Sequence, residues 1–161
     1  MKIRVAVPED ADAIGVLWLE LVAYHRDLDE HMPEAAKDGA YRYAQRIRWM
    51  LDDDTHRTLV AEQDGELVGY ALGMVIDLLP DVFKAERAGM VADVFVRADW
   101  RGQGVGTAIM HAMRDWFVLR GVTHYELYVA AVNDQGRRFW ERTMGGVPVM
   151  LRMRMPVEVE E

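Results

Sequence analysis

Apolar residues recur along the chain with two periods, and the switches between them divide it into strands and helices. Ile3, Val5 and Val7 alternate and predict a first strand. Pro8 suits the first position of a helix, with Glu9, Asp10 and Asp12 at its positive end. Ile14, Leu17, Trp18, Leu21 and Val22 follow at helical spacing. Beyond a polar connection, Tyr41, Ala44, Ile47, Met50 and Leu51 form the stripe of a second helix. Thr58–Ala61 and Leu67–Leu72 read as strands of a hairpin, because Asp64-Gly65 suits a two-residue turn. Leu78–Asp81 reads as a loop and Met90–Val96 as a strand. Val105, Ile109, Met113, Trp116 and Phe117 stripe a third helix, which Gly121 ends. Tyr125–Val129 is a further strand, and Asn133 can cap a short fourth helix that ends near Gly145-Gly146. Val147–Met155 alternates as a last strand.

This order predicts an α+β domain over residues 1–156, followed by an acidic tail, 157–161, whose end frays. The chain has 161 residues, 51% of them hydrophobic, enough for a sizeable core. No apolar run approaches the ~20 residues of a membrane span, and Met1–Val5 lacks the apolar region of a signal peptide. Cysteine is absent, which excludes disulfides, thiolate metal sites and a thiol nucleophile. Its absence fits a cytoplasmic protein. A net charge of −8 argues against a large nucleic-acid surface. The same charge favours cationic ligands, although solubility alone accounts for it equally well.

The most informative stretch is Arg101-Gly102-Gln103-Gly104-Val105-Gly106, between a strand and a helix. A helix N-terminus offers unpaired amides and a positive dipole end to an anion. Glycine lets main chain approach a phosphate where a Cβ would collide. The amides of Gln103, Gly104, Val105, Gly106 and Thr107 are therefore candidates for a phosphate, with Arg101 adding charge. A P-loop would need Lys-Ser/Thr where Thr107-Ala108 stands. A dinucleotide fingerprint would need a glycine at Thr107. A glycine-rich turn that binds nothing is the competing structural reading.

Arg101-x-x-Gly104-x-Gly106 resembles the Q/R-x-x-G-x-G/A signature of the GNAT N-acetyltransferase superfamily. The segments "ADVFVRADW", "YELYVAAVN" and "NDQGRRFWERTMGG" resemble that family's fourth strand, fifth strand with its Asn, and fourth helix. The resemblance implies a mixed, mostly antiparallel sheet flanked by helices, with a bulged fourth strand splayed from the fifth. It also implies acetyl-CoA as co-substrate, and the spacing of the histidines and acidic residues gives no expectation of a metal. Val94 and Val96 would pair with the pantetheine arm, Arg101, Gly102, Gln103, Gly104, Val105, Gly106 and Thr107 would hold the pyrophosphate, and Asn133 would lie near the thioester. Arg137 and Arg138 are further candidates for local positive charge, or ordinary solvated helix residues.

The implied reaction is attack of an amine on a thioester, which needs a base to remove a proton. Asp93 is the first candidate and Glu126 the second. Each carboxylate has a plain structural alternative. The family's N-x-x-A-x-x-L-Y pattern falls on Asn133–Trp140, so Trp140 stands where a tyrosine would protonate the leaving thiolate and Gly136 stands for alanine. Trp140 would pack on the cofactor arm, and Tyr128 is the candidate replacement acid. The missing tyrosine keeps a noncatalytic acyl-CoA-binding module open as the alternative. His25, Asp27, Asp29, Glu30 and His31 lack the i, i+4 histidine spacing of a helical zinc site. They read as a solvated connection or as contacts to the amine acceptor. The last strand, with Met150, Arg152 and Arg154 on one face, is a candidate sheet edge: a homodimer would form through it, or Pro148, Arg152 and Arg154 would guard it as an unpaired edge.

Overall fold

The computed structural model describes residues 1–77 and 82–157. The predicted loop at Leu78–Asp81 and the end of the acidic tail, Glu158–Glu161, lie outside the described residues. Five strands form one sheet in the order β1-β2-β3-β4-β5: β1 Lys2–Val5, β2 His56–Gln63, β3 Glu66–Asp77, β4 Arg87–Val96 and β5 Tyr125–Leu127. The first four run antiparallel to their neighbours, and β5 pairs parallel to β4. The α+β class and the mixed, mostly antiparallel sheet stand as expected.

Helices cover both faces. α1 (Ala11–Leu28) and α2 (Gly39–Met50) pack on one through Ile14, Leu17, Ile47 and the strand residues Val60, Tyr70 and Phe95. α3 (Val105–Leu119) covers the other through Ile109, Met113 and Phe117 against Leu59, Ala61 and Val91. Adjacent β2 residues thus serve opposite cores, the period-two rule of a strand buried on both sides. The Asp64-Gly65 turn has both residues at positive φ, 52° and 85°, as a type I′ hairpin demands. β3 extends well past Leu72, because β4 accompanies it as far as Asp77.

The stripe of α2 differs by one position from the reading of its sequence. Tyr41 is exposed, and Tyr43 is buried with Ala44, Ile47 and Met50. Both tyrosines fit the period within one residue; packing against Trp18, whose ring stacks on Tyr43 at 5.1 Å, selects the second.

Two C-terminal expectations change. β5 stops at Leu127 rather than Val129, since its ladder with β4 covers only Gly89–Val91. Val147–Met155 is not a strand: among the described residues it has no ladder partner, and its apolar side chains are exposed. Alternation describes which residues share a face, but without a neighbouring edge it cannot make a strand. Arg154 donates to the His31 carbonyl oxygen at 2.9 Å, holding part of this segment to the α1–α2 connection.

At the start of α1, Asp10 is nearly buried and accepts the Val7 amide at 2.8 Å and two bonds from Arg4 at 2.6 and 2.9 Å. Arg4 also binds Glu62, so one guanidinium ties β1, β2 and the helix entry. The Arg4 bond is the main reason the Asp10 carboxyl is held below its usual pKa. Its stabilisation is present above the unfolded-state pKa and is lost as pH falls through the lowered folded value. Asp10→Asn is expected to cost about 1–3 kcal/mol at neutral pH. In urea titrations the deficit relative to the parent should shrink as the pH is lowered toward that value.

Candidate active site

β4 carries one extra residue relative to β3: Leu72 faces Asp93 while Gly73 faces Val91, so Ala92 is bulged out. A bulge re-aims the residues beside it. Beyond it β4 has no partner on its β5 side among the described residues, and a cavity of about 410 Å³ opens there. The splayed pair expected from the resemblance is therefore present. The walls are α1 through Leu21, Tyr24 and His25, β4 from Val91 to Val96, the glycine turn, the chain after β5, and the fourth helix.

The glycine turn forms one end. Gly102 and Gly104 have φ of 71° and 81°, and a Cβ built on either would meet no protein atom within 4 Å. Open space before left-handed main chain at the start of α3 suits a phosphate-bearing ligand. Gly102, Gly104, Val105, Gly106 and Thr107 line the cavity. Gln103 turns its side chain away and donates to the Asp99 carbonyl at 2.7 Å. Arg101 folds inward: its Nε donates to the Val96 carbonyl at 2.8 Å, and its guanidinium lies 4.5 Å from the Tyr24 ring centroid and 5.4 Å from that of Phe95. Val94 and Val96 line the groove, with the Val96 carbonyl shared by Arg101.

Asp93 forms the other end. Its Oδ2 accepts the Tyr43 hydroxyl at 2.6 Å, and His25 and Arg46 act on it electrostatically. Burial pushes its carboxyl above the usual range, partly opposed by the Tyr43 bond and those two positive partners. Burial likewise lowers His25, against the pull of Asp93. Tyr43 lies well above an ordinary phenol, chiefly because it is buried. Tyr43 and His25 belong to this end; the sequence offered His25 among the candidate contacts to the acceptor and did not single out Tyr43. The tyrosine was passed over in favour of Tyr41 in the α2 stripe, and the histidine sits one turn past Leu21 on the same face of α1.

Asn133 is buried, and its Oδ1 accepts both the Gly136 amide at 2.9 Å and the Tyr24 hydroxyl at 3.1 Å. It thus caps α4 (Asp134–Arg138), which continues as a π turn over Phe139–Thr143. A Cβ on residue 136 would fall 2.6 Å from Asn133 Nδ2, which explains glycine there. Trp140 lines the cavity and packs edge-on against Phe139, with centroids 4.8 Å apart. Tyr128 lies at the cavity edge with 82% of its surface exposed. Glu126 is exposed on β5 and outside the lining, as are Arg137 and Arg138, the former pairing with Glu141. His31 pairs with Asp29 at 2.8 Å, away from the cavity that His25 lines. Among the described residues no three His, Asp or Glu side chains converge as metal ligands, and no helix is long and apolar enough to cross a membrane.

The sheet opens beside a parallel strand pair into one cleft, with a glycine turn and helix N-terminus at one end and a half-buried carboxyl at the other. The chain belongs to the acetyltransferase (GNAT) family, whose model matches residues 21–145. It is 27% identical over 140 residues to an uncharacterized N-acetyltransferase of Archaeoglobus fulgidus, covering 87% of this chain and 89% of that one. A crystal structure of a Bacillus halodurans protein superposes with a TM-score of 0.85 at 19% identity, covering 98% of this chain and all of the other. AAC(6')-Iy in complex with a CoA bisubstrate analogue shares the fold at a TM-score of 0.67 and 16% identity, over 96% of this chain and 98% of its own.

Gly104→Val would place a branched side chain in the open space before the turn, at a φ that disfavours it. Calorimetry is expected to show CoA affinity at least about tenfold weaker, a loss of about 1.4 kcal/mol. Circular dichroism should show the folded state retained.

Proposed function

We propose that this GNAT-family protein transfers an acetyl group from acetyl-CoA to a primary amine, directly, within a ternary complex. The observation that carries the reading is the juxtaposition, in one cavity, of a glycine turn at a helix N-terminus and a half-buried carboxyl. Bound acetyl-CoA supplies the activated acyl group. Gly102 to Thr107 would hold its pyrophosphate through main-chain amides, and the free edge of β4 at Val94 and Val96 would hold the pantetheine amides.

Asp93 is the residue that receives the ammonium group of the acceptor and takes a proton from it. Its raised pKa makes it a better base than a solvated carboxylate. Tyr43 fixes one carboxylate oxygen and leaves the other for the acceptor. Glu126, exposed and outside the cavity, has no comparable position. With no cysteine in the chain, the acyl group has no thiol to rest on, which favours direct attack.

The test is release of free CoA with a panel of primary amines. A thiol reagent reports CoA alone here, because the protein contributes no cysteine. Intersecting lines in two-substrate kinetics are expected; parallel lines with a trapped acetyl-enzyme would overturn direct transfer. Tight CoA binding with no release across the panel would favour a noncatalytic binding module. Asp93 acts as base only when ionised, so kcat/KM should fall on the acid side, with its midpoint above the usual carboxylate range. Asp93→Asn is expected to lower kcat about 10²–10⁴-fold and abolish that limb.

We also propose that the protein is a homodimer assembled through Val147–Met155. Met150 and Leu151 are 85% and 81% exposed, and a contiguous apolar segment of this kind supports a covered state. Sedimentation at micromolar concentration is expected to give a dimer, and Leu151→Asp a monomer with unchanged CoA affinity.

A further inference from the structure

We propose that Tyr24 is the acid that protonates the departing CoA thiolate, a role that rests on the acetyl-transfer reading above. Two phenols line the cavity, Tyr24 and Tyr128. Tyr128 is largely in solvent, whereas Tyr24 is half-buried on the inner face of α1. Tyr43 is committed to Asp93 and lies outside the lining. The Trp140 indole, on the facing helix, donates only from a nitrogen that stays protonated and cannot act as an acid.

Place gives Tyr24 this role. A ligand with phosphates at Gly102–Thr107 and its reacting carbon near Asp93 runs past Val96 and Val94. α1 faces that path with two adjacent residues: His25 acts on Asp93, and Tyr24 touches Arg101 and Asn133. Tyr24 therefore stands one step from the nucleophile's end toward the leaving group's end.

Its partners suit proton transfer. The Tyr24 hydroxyl donates to Asn133 Oδ1, which also accepts the Gly136 amide. When Tyr24 turns its proton to sulfur, that oxygen keeps a donor and no buried polar atom is orphaned. The Arg101 guanidinium, 4.5 Å from the ring centroid, supplies positive charge where a phenolate forms.

The step balances. The acceptor ammonium first loses one proton to Asp93, which passes it to solvent; the free amine nitrogen then adds to the thioester carbon and gives its next proton to the ionised Asp93. The C–S bond then breaks with its electron pair on sulfur, and the carbonyl re-forms. The Tyr24 O–H bond breaks as the S–H bond forms, leaving a phenolate that recovers, through solvent, the proton held by Asp93. Amine and thioester become amide and thiol, and both residues return to their starting states.

The experiment compares pH profiles of kcat for the full chain, wild type against Tyr24→Phe, with acetyl-CoA and the best amine of the panel. The expected result is a fall in kcat of about 10²-fold in Tyr24→Phe, with KM for acetyl-CoA little changed and the alkaline limb lost. Asn133→Ala breaks the same hydrogen bond but keeps the phenol, and is expected to keep that limb. Trp140→Tyr in the Tyr24→Phe background is expected to recover part of kcat by returning a phenol to the facing wall. An unchanged kcat and alkaline limb in Tyr24→Phe would overturn the assignment. So would loss of the limb in Asn133→Ala, which would make Tyr24 a structural strut. Absence of CoA release from wild type would instead remove the acetyl-transfer reading itself.

Discussion

The parallel ladder between β4 and β5 lasts for three residues and then stops, and the cavity follows from that stop. A continuous ladder would satisfy the β4 edge and close the sheet. The extra residue at Ala92 breaks the register on the β3 side while β5 ends at Leu127, so β4 runs on from Asp93 to Val96 with β3 as its only neighbouring strand among the described residues. Unpaired main chain inside a protein needs partners. Arg101 meets part of this need by reaching back to the Val96 carbonyl. The rest of the edge is what an extended, amide-bearing ligand would pair with, as an added strand does.

Most of this architecture was legible because it rests on local rules. The 3.6 and 2 periods located α1, α3 and the β2–β3 hairpin, and the positive φ at Asp64 and Gly65 is what an Asp-Gly pair predicts. The glycine turn was legible for the same reason: main-chain conformation at Gly102 and Gly104 is written in residue type. Contacts that join distant elements were not. Tyr43 reaches Asp93 across 50 residues and Tyr24 reaches Asn133 across 109, and neither tyrosine differs in sequence from an ordinary core aromatic. Val147–Met155 failed in the opposite direction, since its alternation met the local rule but it forms no ladder with any described strand.

The departures from the family pattern at Gly136 and Trp140 make sense as one local packing problem. Asn133 sits so close to the following turn that a Cβ at 136 would collide with its amide. Glycine costs α4 some stability, about 1 kcal/mol relative to alanine. It lets Asn133 turn its oxygen toward both the helix amide and α1. The α-helical part then lasts five residues before a π turn carries Phe139 and Trp140 onto the cavity wall and the α3 core. The hydroxyl missing from that wall faces it from α1 instead, on Tyr24.

The electrostatics divide the two substrates by range. A net charge of −8 repels an anionic donor at a distance and attracts a protonated amine. Arg101, the cation nearest the glycine turn in sequence, is drawn in over Tyr24 and Phe95 rather than extended toward solvent. Donor phosphates bound at the glycine turn would therefore depend on oriented amides and a helix dipole, whose fields die away within about one turn. On the proposed reading, the acceptor would be drawn by the whole surface and end at a single carboxyl that Tyr43 holds by a hydrogen bond and His25 influences electrostatically. On that reading, selection of the donor would rest on contact geometry at Gly102–Thr107, and selection of the acceptor on charge first and shape second.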